Sequence, residues 1–405
     1  MRKILFISDS VGSDMSANFA CEYEIAKIFY KNGYEVHVMG FKGYNEKAEE
    51  IWDGINIHRV LPNLYNKVRI YSIKHSKEFK GKLASWFMKL LGIRVIFLLP
   101  FFPVRAPFFI LKYMREAEKL HKRFEFAMVI SSYNPLEALY AGDHLKKKFN
   151  VNFCSYFLDT LTDNIPKHHF LSKKFMDNQG YKYEKKFFQS SDLILNLKCH
   201  EQNFLNAKYD LYRNKMKIVD IPHLKNRINH KNKANNCNKI KIVYTGSIRD
   251  NLLPYILEIF KNINNTELHF YGTNNIVLPD SDYIIKHGSV SREISLEAQF
   301  NSDILMSMGN KDSAFIPSKI FEYMSTGKKI IHFCFDNSDS TIPYYKKYPD
   351  VVIININDNI QENLNKVQKF IDEPASLISY GDLINIFPEC DAEYTYNTIT
   401  DFFNL

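Results

Sequence analysis

The sequence patterns that most directly assign an enzyme class are missing from this chain of 405 residues. No GxGxxG follows the first apolar run, where the loop at residues 9–16 reads Asp-Ser-Val-Gly-Ser-Asp-Met-Ser, and this disfavours a nicotinamide or flavin enzyme. The P-loop pattern GxxxxGK[ST] is absent, as are GxSxG, HExxH and the kinase patterns. These absences exclude the P-loop NTPases and disfavour serine hydrolases, zinc proteases and kinases of the usual types.

Cysteine is scarce and dispersed. The six cysteines contain no CxxC pair, which argues against a zinc site and against a disulfide framework, and is typical of a reducing compartment. The apolar run at residues 1–8 is too short for a signal peptide and predicts a first strand instead. We therefore expect a cytoplasmic protein.

A long basic tract is also lacking. The formal net charge is only +8, and no nucleic-acid-binding module is recognisable. We expect no nucleic-acid partner. Anionic lipid surfaces or phosphate-bearing substrates explain the positive charge equally well.

Short apolar runs alternate with helical stretches along most of the chain. In the first half, strands are predicted at residues 3–8, 35–39, 127–131, 152–157 and 192–197, and helices at 16–31, 135–148 and 179–189. A second series has strands at 239–244, 267–271, 283–287 and 303–306, and helices at 251–263 and 291–300. Such alternation predicts an α/β protein with two parallel sheets.

The domain boundaries follow a change in composition. Residues 225–238 are polar and rich in Asn and Lys, which predicts a junction segment between a first domain at 1–224 and a second at 239–388. Residues 389–405 form an aromatic-rich helix that we expect to return to the first domain. Ligands of two such Rossmann-like domains are expected at the carboxyl ends of their strands.

The stretch from Leu83 to Met114 mixes aromatic side chains with lysine and arginine. Its longest uncharged run is ten residues, at 95–104, whereas a membrane span needs about 20. Aromatics interleaved with cations suit the interface of a membrane with anionic headgroups. A proline-broken core segment is the alternative. We expect a membrane contact here, and the alternative stays open.

Residues 316–329 combine the features of a binding helix. Ser318 is placed to be its N-cap and Gly327 to end it, while Lys319 and Glu322 share one face. A carboxylate in the first turn can reach the vicinal hydroxyls of a sugar, and the lysine and free backbone N–H groups suit a phosphate. A surface ion pair on a half-buried helix is the alternative.

Glycines follow the strands that precede this helix. Gly246 and then Arg249 come after the strand at 239–244, an arrangement suited to pyrophosphate. Gly272 ends the next strand, and the amides of residues 287–290 could meet a base edge at the end of the third. Each glycine alone is weak evidence, because glycines end strands in every α/β protein. Their order is more specific.

That ordered set resembles the C-terminal domain of GT-B glycosyltransferases, most closely the family 4 type of bacterial polysaccharide, capsule and lipopolysaccharide clusters. The matching pieces lie at 243–249, 269–272, 287–290, 302–305 and 317–327. A looser similarity covers the opening strand and its loop, residues 157–159 and residues 183–194. The resemblance spans most of the chain and is specific between 239 and 333.

The resemblance implies two facing Rossmann-like domains with parallel sheets, the acceptor bound by the first and a nucleotide-sugar donor by the second. It implies that Glu322 binds the ribose and that residues 287–290 line the base. It also implies that Gly246, Arg249 and Lys319 hold the diphosphate. The implied donor-binding residues are Gly246, Ser247, Arg249, Tyr271, Gly272, His287, Gly288, Ser289, Val290, Pro317, Ser318, Lys319, Ile320 and Glu322. The implied acceptor-binding residues are Gly12, Ser13, Asp14 and Asp159. The implied catalytic residues are Arg249, Lys319, Glu322 and Asp159.

The resemblance also implies a metal-independent, retaining hexosyltransferase. Charge develops on the diphosphate as the glycosyl bond breaks, so fixed cations can replace a metal there. No DxD-like metal site occurs in the matching region, and we expect no metal and no cofactor besides the sugar nucleotide.

The chain departs from the family at three positions. Ala314 stands where a first glutamate is common, no second lysine follows Arg249, and residues 131–134 lack a first-domain histidine. These gaps leave the chemistry at the sugar open.

Our interpretation is a cytoplasmic, membrane-peripheral glycosyltransferase. It would move a hexose from a nucleoside diphosphate sugar, UDP by expectation, to a lipid-linked or growing glycan. A nucleotide-sugar epimerase or phosphorylase of similar architecture, and a degenerate glycosyltransferase-like partner subunit, are the alternatives.

Overall fold

Fourteen strands form two sheets in the part of the chain that the computed structural model describes. That part is residues 1–405 without 13–15, 44–45, 63–66, 69–70, 73–74, 76–77, 105, 163–170, 228–238, 249–250, 273–277, 310–315 and 377, with only the backbone described for 89–97. Unit 1 consists of Met1–Pro222 and Ala392–Leu405, and unit 2 of His223–Asp391. Each unit has one sheet of mostly parallel strands covered by helices, which confirms the α/β prediction of two Rossmann-like sheets.

The sheet of unit 1 has eight strands in the order β3-β4-β2-β1-β5-β6-β7-β8. Every neighbouring pair is parallel except β3 and β4. The strands are β1 (Lys3–Ser10), β2 (Glu35–Phe41), β3 (Glu49–Trp52), β4 (Ile55–Val60), β5 (Met128–Tyr133), β6 (Asn152–Phe157), β7 (Leu193–Leu197) and β8 (Met216–Val219).

Helices cover the unit 1 sheet. They are α1 (Ala17–Lys31), α2 (Phe79–Leu98), α3 (Pro107–Phe124), α4 (Leu136–Phe149), α5 (Lys173–Ser190) and α6 (Glu201–Phe204). The Ser16 hydroxyl accepts a hydrogen bond from the Phe19 backbone N–H at 3.0 Å and so begins α1. Tyr113 of α3 and Ala141 of α4 pack on the buried side chains of Leu5 and Val129, forming one half of the core.

The stretch from Leu83 to Met114 divides between surface and core. Phe109, Ile110 and Tyr113 of α3 are buried, so the expectation of a membrane contact is wrong for these side chains. Their burial follows from the apolar face that α3 turns to the sheet. The α2 side chains of Leu83, Trp86 and Phe87 are exposed instead. No helix in the described ranges combines the length and apolar character needed to span a membrane.

The sheet of unit 2 has six parallel strands in the order β11-β10-β9-β12-β13-β14. The chain order reverses between β9 and β12, and a crevice forms at the carboxyl ends of strands at such a reversal. The strands are β9 (Ile240–Thr245), β10 (Thr266–Tyr271), β11 (Ile284–Gly288), β12 (Ile304–Met308), β13 (Lys329–Cys334) and β14 (Val351–Asn355). The helices are α7 (Leu253–Lys261), α8 (Arg292–Phe300), α9 (Lys319–Met324), α10 (Ile342–Tyr345), α11 (Ile360–Asp372) and α12 (Tyr380–Ile386).

The predicted ends of two helices in unit 2 agree with the structure. The Ser291 hydroxyl accepts from the Ile294 N–H at 3.3 Å at the start of α8, and Gly327 lies beyond α9 with a φ of 69°. Ser318 is the N-cap residue of α9, as predicted, but it has helical backbone angles, φ −57° and ψ −20°, and its side chain makes no cap hydrogen bond.

The C-terminal helix α13 (Ala392–Phe403) belongs to unit 1 and packs against α1. The ring of Tyr396 meets the ring of Phe29 edge-on, with centroids 4.7 Å apart. This confirms the prediction that the helix returns to the first domain. Edge-to-face aromatic pairs of this kind contribute about 0.5–1.5 kcal/mol beyond the area they bury.

A buried carboxyl ties α5 to the loop after β6. Glu184 accepts hydrogen bonds from the Leu161 backbone N–H at 2.8 Å and from the Tyr209 hydroxyl at 2.5 Å. Burial raises its pKa to about 7, against the hydrogen bonds, which lower it. The same loop carries Asp159.

We expect Glu184 to make stability fall as pH rises toward neutrality. Between pH 4.5 and about 7 the unfolded carboxyl loses its proton while the native one keeps it, so the free energy of unfolding decreases, by up to about 3 kcal/mol. Glu184→Gln should remove this part of the slope, because an amide does not titrate; its oxygen can still accept from the Leu161 N–H, and its NH2 group can donate to the Tyr209 hydroxyl. Urea unfolding of both proteins from pH 5 to 8 checks it, and equal slopes would contradict it.

Candidate functional site

Three adjacent strands of unit 2 end in glycine. Gly246, Gly272 and Gly288 follow or close β9, β10 and β11, and all three have positive φ. The Gly246 N–H donates to the Tyr271 carbonyl and the Gly272 N–H to the Gly288 carbonyl, each at 2.7 Å. The strand ends are thus held side by side without side chains over their backbones. We call the three residues Gly246, Gly272 and Gly288 the glycine corner.

We expect Gly272→Ala to destabilise unit 2. A Cβ at this position would lie 2.1 Å from the Gly246 carbonyl oxygen, and the φ of 152° disfavours alanine. The loss should be about 2 kcal/mol or more, because the opposing atom belongs to the backbone. Thermal unfolding checks it. Gly381→Ala in α12 is the matched control, since the nearest atom to its Cβ is 3.7 Å away, and an equal loss there would contradict the account.

Thr245, the last residue of β9, gathers side chains from two helices. Its hydroxyl accepts from Lys319 Nζ at 3.3 Å and from Gln299 Nε2 at 3.1 Å. The buried Tyr323 hydroxyl accepts from the Thr245 N–H at 2.9 Å and donates to the Thr245 carbonyl at 3.3 Å. Burial raises the pKa of Tyr323 to about 12. This network fixes α9 against the end of β9.

Lys319 lies directly beside the glycine corner. Its Cε is 3.7 Å from the position that a Cβ of Gly246 would occupy. Burial lowers the pKa of Lys319, Glu322 raises it, and Arg292 adds to the lowering. A half-buried ammonium that donates to a neutral acceptor, the Thr245 hydroxyl, is suited to bind an anion.

Glu322 is held by an arginine that sequence reasoning missed. Arg292 Nη2 donates to Glu322 Oε1 at 2.9 Å, and the carboxylate is much less exposed than the guanidinium. The two residues are 30 positions apart, on α8 and α9. The pair engages only one carboxylate oxygen of Glu322, Oε1. A fixed carboxylate oxygen of this kind can accept from sugar hydroxyls.

Aromatic rings line the outer part of the glycine corner. The His287 ring stacks on Tyr271 with centroids 3.9 Å apart and planes 3° from parallel. His287 Nε2 also lies 3.0 Å from His269 Nδ1, and His269 reaches Glu267 at 3.4 Å. Burial, joined by Lys241, lowers the pKa of both imidazoles. The two rings offer flat surfaces on which a base could stack.

The remaining predicted donor residues are distributed as follows. Ser289 is exposed, and Val290, Pro317 and Ser318 are half-buried. The Ser247 carbonyl accepts from the Tyr244 hydroxyl at 2.6 Å. The side chain of Ile320 is buried, so only its backbone can meet a ligand. Arg249 and Ala314 lie outside the described residues.

The predicted acceptor residues belong to unit 1. Gly12 is buried, with its Cα facing the Glu46 carboxylate, and Asp159 is half-buried after β6. Ser13 and Asp14 lie outside the described residues. Sequence reasoning missed Asp9, whose Oδ1 accepts from the Ser16 hydroxyl at 2.6 Å at the end of β1. Burial raises the pKa of Asp9, against that hydrogen bond.

In the described ranges, no group of three or more His, Cys, Asp or Glu side chains is arranged to hold a metal ion.

Known structures share this fold along the whole chain. Sucrose-phosphate synthase from Thermosynechococcus elongatus matches with a TM-score of 0.63 at 12% identity, over 100% of this chain and 98% of that one. Anabaena HepE, solved with UDP and glucose, matches with 0.58 at 11%, over 100% of both. A putative UDP-N-acetylglucosamine 2-epimerase from Listeria monocytogenes matches with 0.51 at 11%, over 99% and 96%.

No protein-family model matches the sequence, and the comparison with curated proteins finds no match. At identities this low, the structural likeness establishes the fold alone. That fold is the GT-B arrangement of two Rossmann-like units, which glycosyltransferases share with nucleotide-sugar epimerases.

Proposed function

We propose that this chain is a glycosyltransferase that moves a hexose from UDP to a lipid-linked or growing glycan in cell-surface polysaccharide synthesis, such as that of capsule or lipopolysaccharide. The observation that carries the proposal is the position of Lys319. Its ammonium is held by Thr245 at the glycine corner, where the chain order of the sheet reverses.

The donor would lie along the strand ends of unit 2. Lys319, with Arg249 assigned from sequence alone, would face the diphosphate, and Glu322 would accept from the ribose hydroxyls. The parallel rings of Tyr271 and His287 would meet the base. Among the solved structures of this fold, HepE is described with UDP and glucose, which supports a sugar nucleotide as the ligand.

Bond cleavage at the sugar would place new negative charge on the UDP leaving group. A cation fixed beforehand stabilises that charge without reorganising when the bond breaks. We propose that Lys319 supplies this stabilisation in place of a metal, and that the reaction retains the configuration of the sugar. Asp159 in unit 1 would bind the acceptor hydroxyl.

A thermal-shift screen of nucleotide sugars tests the assignment. A ligand that binds only the native state raises its apparent stability, by about 2.7 kcal/mol at a hundredfold excess over Kd. We expect UDP-hexoses to raise the melting temperature and nicotinamide dinucleotides to leave it unchanged. A screen in which no sugar nucleotide shifts the transition would contradict the proposal.

Incubation with the donor alone separates the two catalytic classes. A glycosyltransferase should release UDP slowly by hydrolysis and leave the remaining sugar unchanged. An epimerised sugar in the product would establish the alternative. Donor binding with no turnover on any glycan acceptor would indicate a degenerate partner subunit.

A further inference from the structure

The positive charge of the chain is concentrated in one segment of unit 1. Residues 61–115 contain eleven lysines and arginines and a single acidic residue, Glu78. The whole chain has 53 basic and 45 acidic residues, so its net positive charge resides in this segment. A segregated charge of one sign indicates a partner of the opposite sign.

The first turns of α2 expose large apolar side chains within this segment. Phe79 is 80% exposed and Trp86 58%, and Leu83 and Phe87 are also exposed. Positions 79, 83 and 86 follow helical spacing and share one face, which Phe87 extends. We call these four side chains the aromatic stripe. Soluble proteins seldom leave such a patch uncovered unless it binds something.

Lysines border the aromatic stripe on both sides. At 3.6 residues per turn, Lys80 and Lys82 project to opposite sides of it, and both are exposed. Their ammonium groups can therefore remain in water or contact lipid headgroups while the aromatic stripe lies deeper in the bilayer interface. Apolar side chains with a cation on each side match the boundary between the acyl chains and the headgroups of an anionic bilayer.

A cleft adjoins the aromatic stripe, between α2 and residues that precede this helix. Its volume is about 670 Å³ and its surface is almost wholly apolar. It is lined by Lys67, Val68, Tyr71, Lys80, Leu83, Ala84, Trp86 and Phe87. Two lysines at an otherwise apolar cleft suit an acyl chain whose headgroup is anionic.

We propose that the aromatic stripe and its cleft dock unit 1 onto an anionic lipid bilayer, in the interface and without spanning it. The stripe would enter the headgroup boundary, Lys80 and Lys82 would pair with anionic headgroups, and the cleft would take one acyl chain. This places the membrane contact on α2, and the buried α3 side chains of Phe109 and Tyr113 take no part in it. The docking itself does not depend on the proposed function. Its purpose, which is to bring the enzyme to a membrane-borne acceptor, rests on that function.

Vesicle flotation of the full chain tests the docking. The protein should float with vesicles of phosphatidylcholine mixed with phosphatidylglycerol at low salt, and should not float with phosphatidylcholine alone. Lys80→Glu with Lys82→Glu should weaken binding by about tenfold or more. The matched control is Lys182→Glu with Lys185→Glu on α5, where both lysines are also exposed.

Tryptophan fluorescence locates the contact. The chain has two tryptophans, so a Trp52→Phe background reports on Trp86 alone. The fluorescence emission of Trp86 should shift to shorter wavelength on anionic vesicles. The double variant Phe79→Ser with Phe87→Ser should reduce both this wavelength shift and the fraction of protein bound to the vesicles. Leu211→Ser is the apolar control, because Leu211 is 83% exposed and is not part of α2.

Three results would overturn the proposal. One is equal or absent flotation on neutral and anionic vesicles, and another is a loss in the control variants as large as that in the α2 variants. The third is a native oligomer that the α2 variants dissociate, which would mean that a second copy covers the stripe. A parallel UDP titration separates the two proposals, since intact UDP binding with no flotation removes only the docking.

Discussion

Glu322→Ala is expected to weaken UDP binding by roughly 30- to 150-fold, which corresponds to about 2 to 3 kcal/mol. The carboxylate is fixed by Arg292 at 2.9 Å and can accept from ribose hydroxyls with its free oxygen. Alanine removes that acceptor and leaves the hydroxyls to be desolvated without a partner. Calorimetric titration with UDP measures the loss of affinity. The affinity of Glu322→Gln should lie between those of the wild type and Glu322→Ala, because an amide retains one acceptor oxygen.

Glu362→Ala is the matched control for this substitution. Glu362 also lies in the first turn of a helix of unit 2, on α11, and is exposed. Its removal should leave UDP affinity unchanged. The melting temperature of each variant without ligand shows whether the fold is retained. A folded Glu322→Ala protein that binds UDP as tightly as the wild type would remove the ribose assignment.

Lys319→Met is expected to reduce kcat by about 100- to 1,000-fold, with a smaller effect on donor binding. Methionine keeps the apolar stem beside Gly246 but removes the ammonium that, in the proposed function, would face the developing charge on UDP. Because the charge matters most when the glycosyl bond breaks, the loss should fall mainly on turnover. Steady-state release of UDP with a glycan acceptor measures it.

The pH dependence gives Lys319 a second signature. Burial lowers its pKa below the usual 10.5, so the rate should fall as pH rises through that lowered value and the lysine loses its proton. Lys319→Met should lack this decline, and Lys319→Arg should recover part of the rate. Lys347→Met, at an exposed position of the same unit, is the control. Equal losses in both methionine variants would contradict a role at the leaving group.

The sequence predicted the framework of unit 2 well because its signals are local. The strands β9, β10 and β11 each run into a glycine, and positive φ at Gly246, Gly272 and Gly288 explains why glycine is needed. In unit 1, the predicted strand at 152–157 coincides with the observed β6. Short-range periodicity and turn residues are sufficient for such elements.

The β3–β4 hairpin was missed although its signal is present. Asp53 and Gly54 join the strands with φ of 48° and 83°, the positive values that a two-residue hairpin turn requires. The flanking strands are short, and β3 lies at the sheet edge with alternating exposure. The apolar pattern of β3 and β4 is too weak to predict the two strands, whereas the Asp-Gly pair between them is a recognisable hairpin signal.

The parts of the candidate site that were missed depend on contacts distant in sequence. Thr245 and Tyr323 are 78 positions apart, and Gln299 reaches the Thr245 hydroxyl from another helix. No local pattern encodes such a network, because it forms only when two helices fold onto one strand end. Ser318 precedes α9 as predicted but makes no side-chain cap bond, since the backbone N–H groups at a helix start can be satisfied in other ways.

Titration of the full chain with UDP and with UMP tests the central claim most directly. If Lys319 and the glycine corner hold a diphosphate, UDP should bind at least about tenfold more tightly than UMP, since only UDP places a second phosphate at the ammonium. Equal affinities for the two nucleotides, or binding of neither, would contradict a sugar-nucleotide site at this end of the unit 2 sheet.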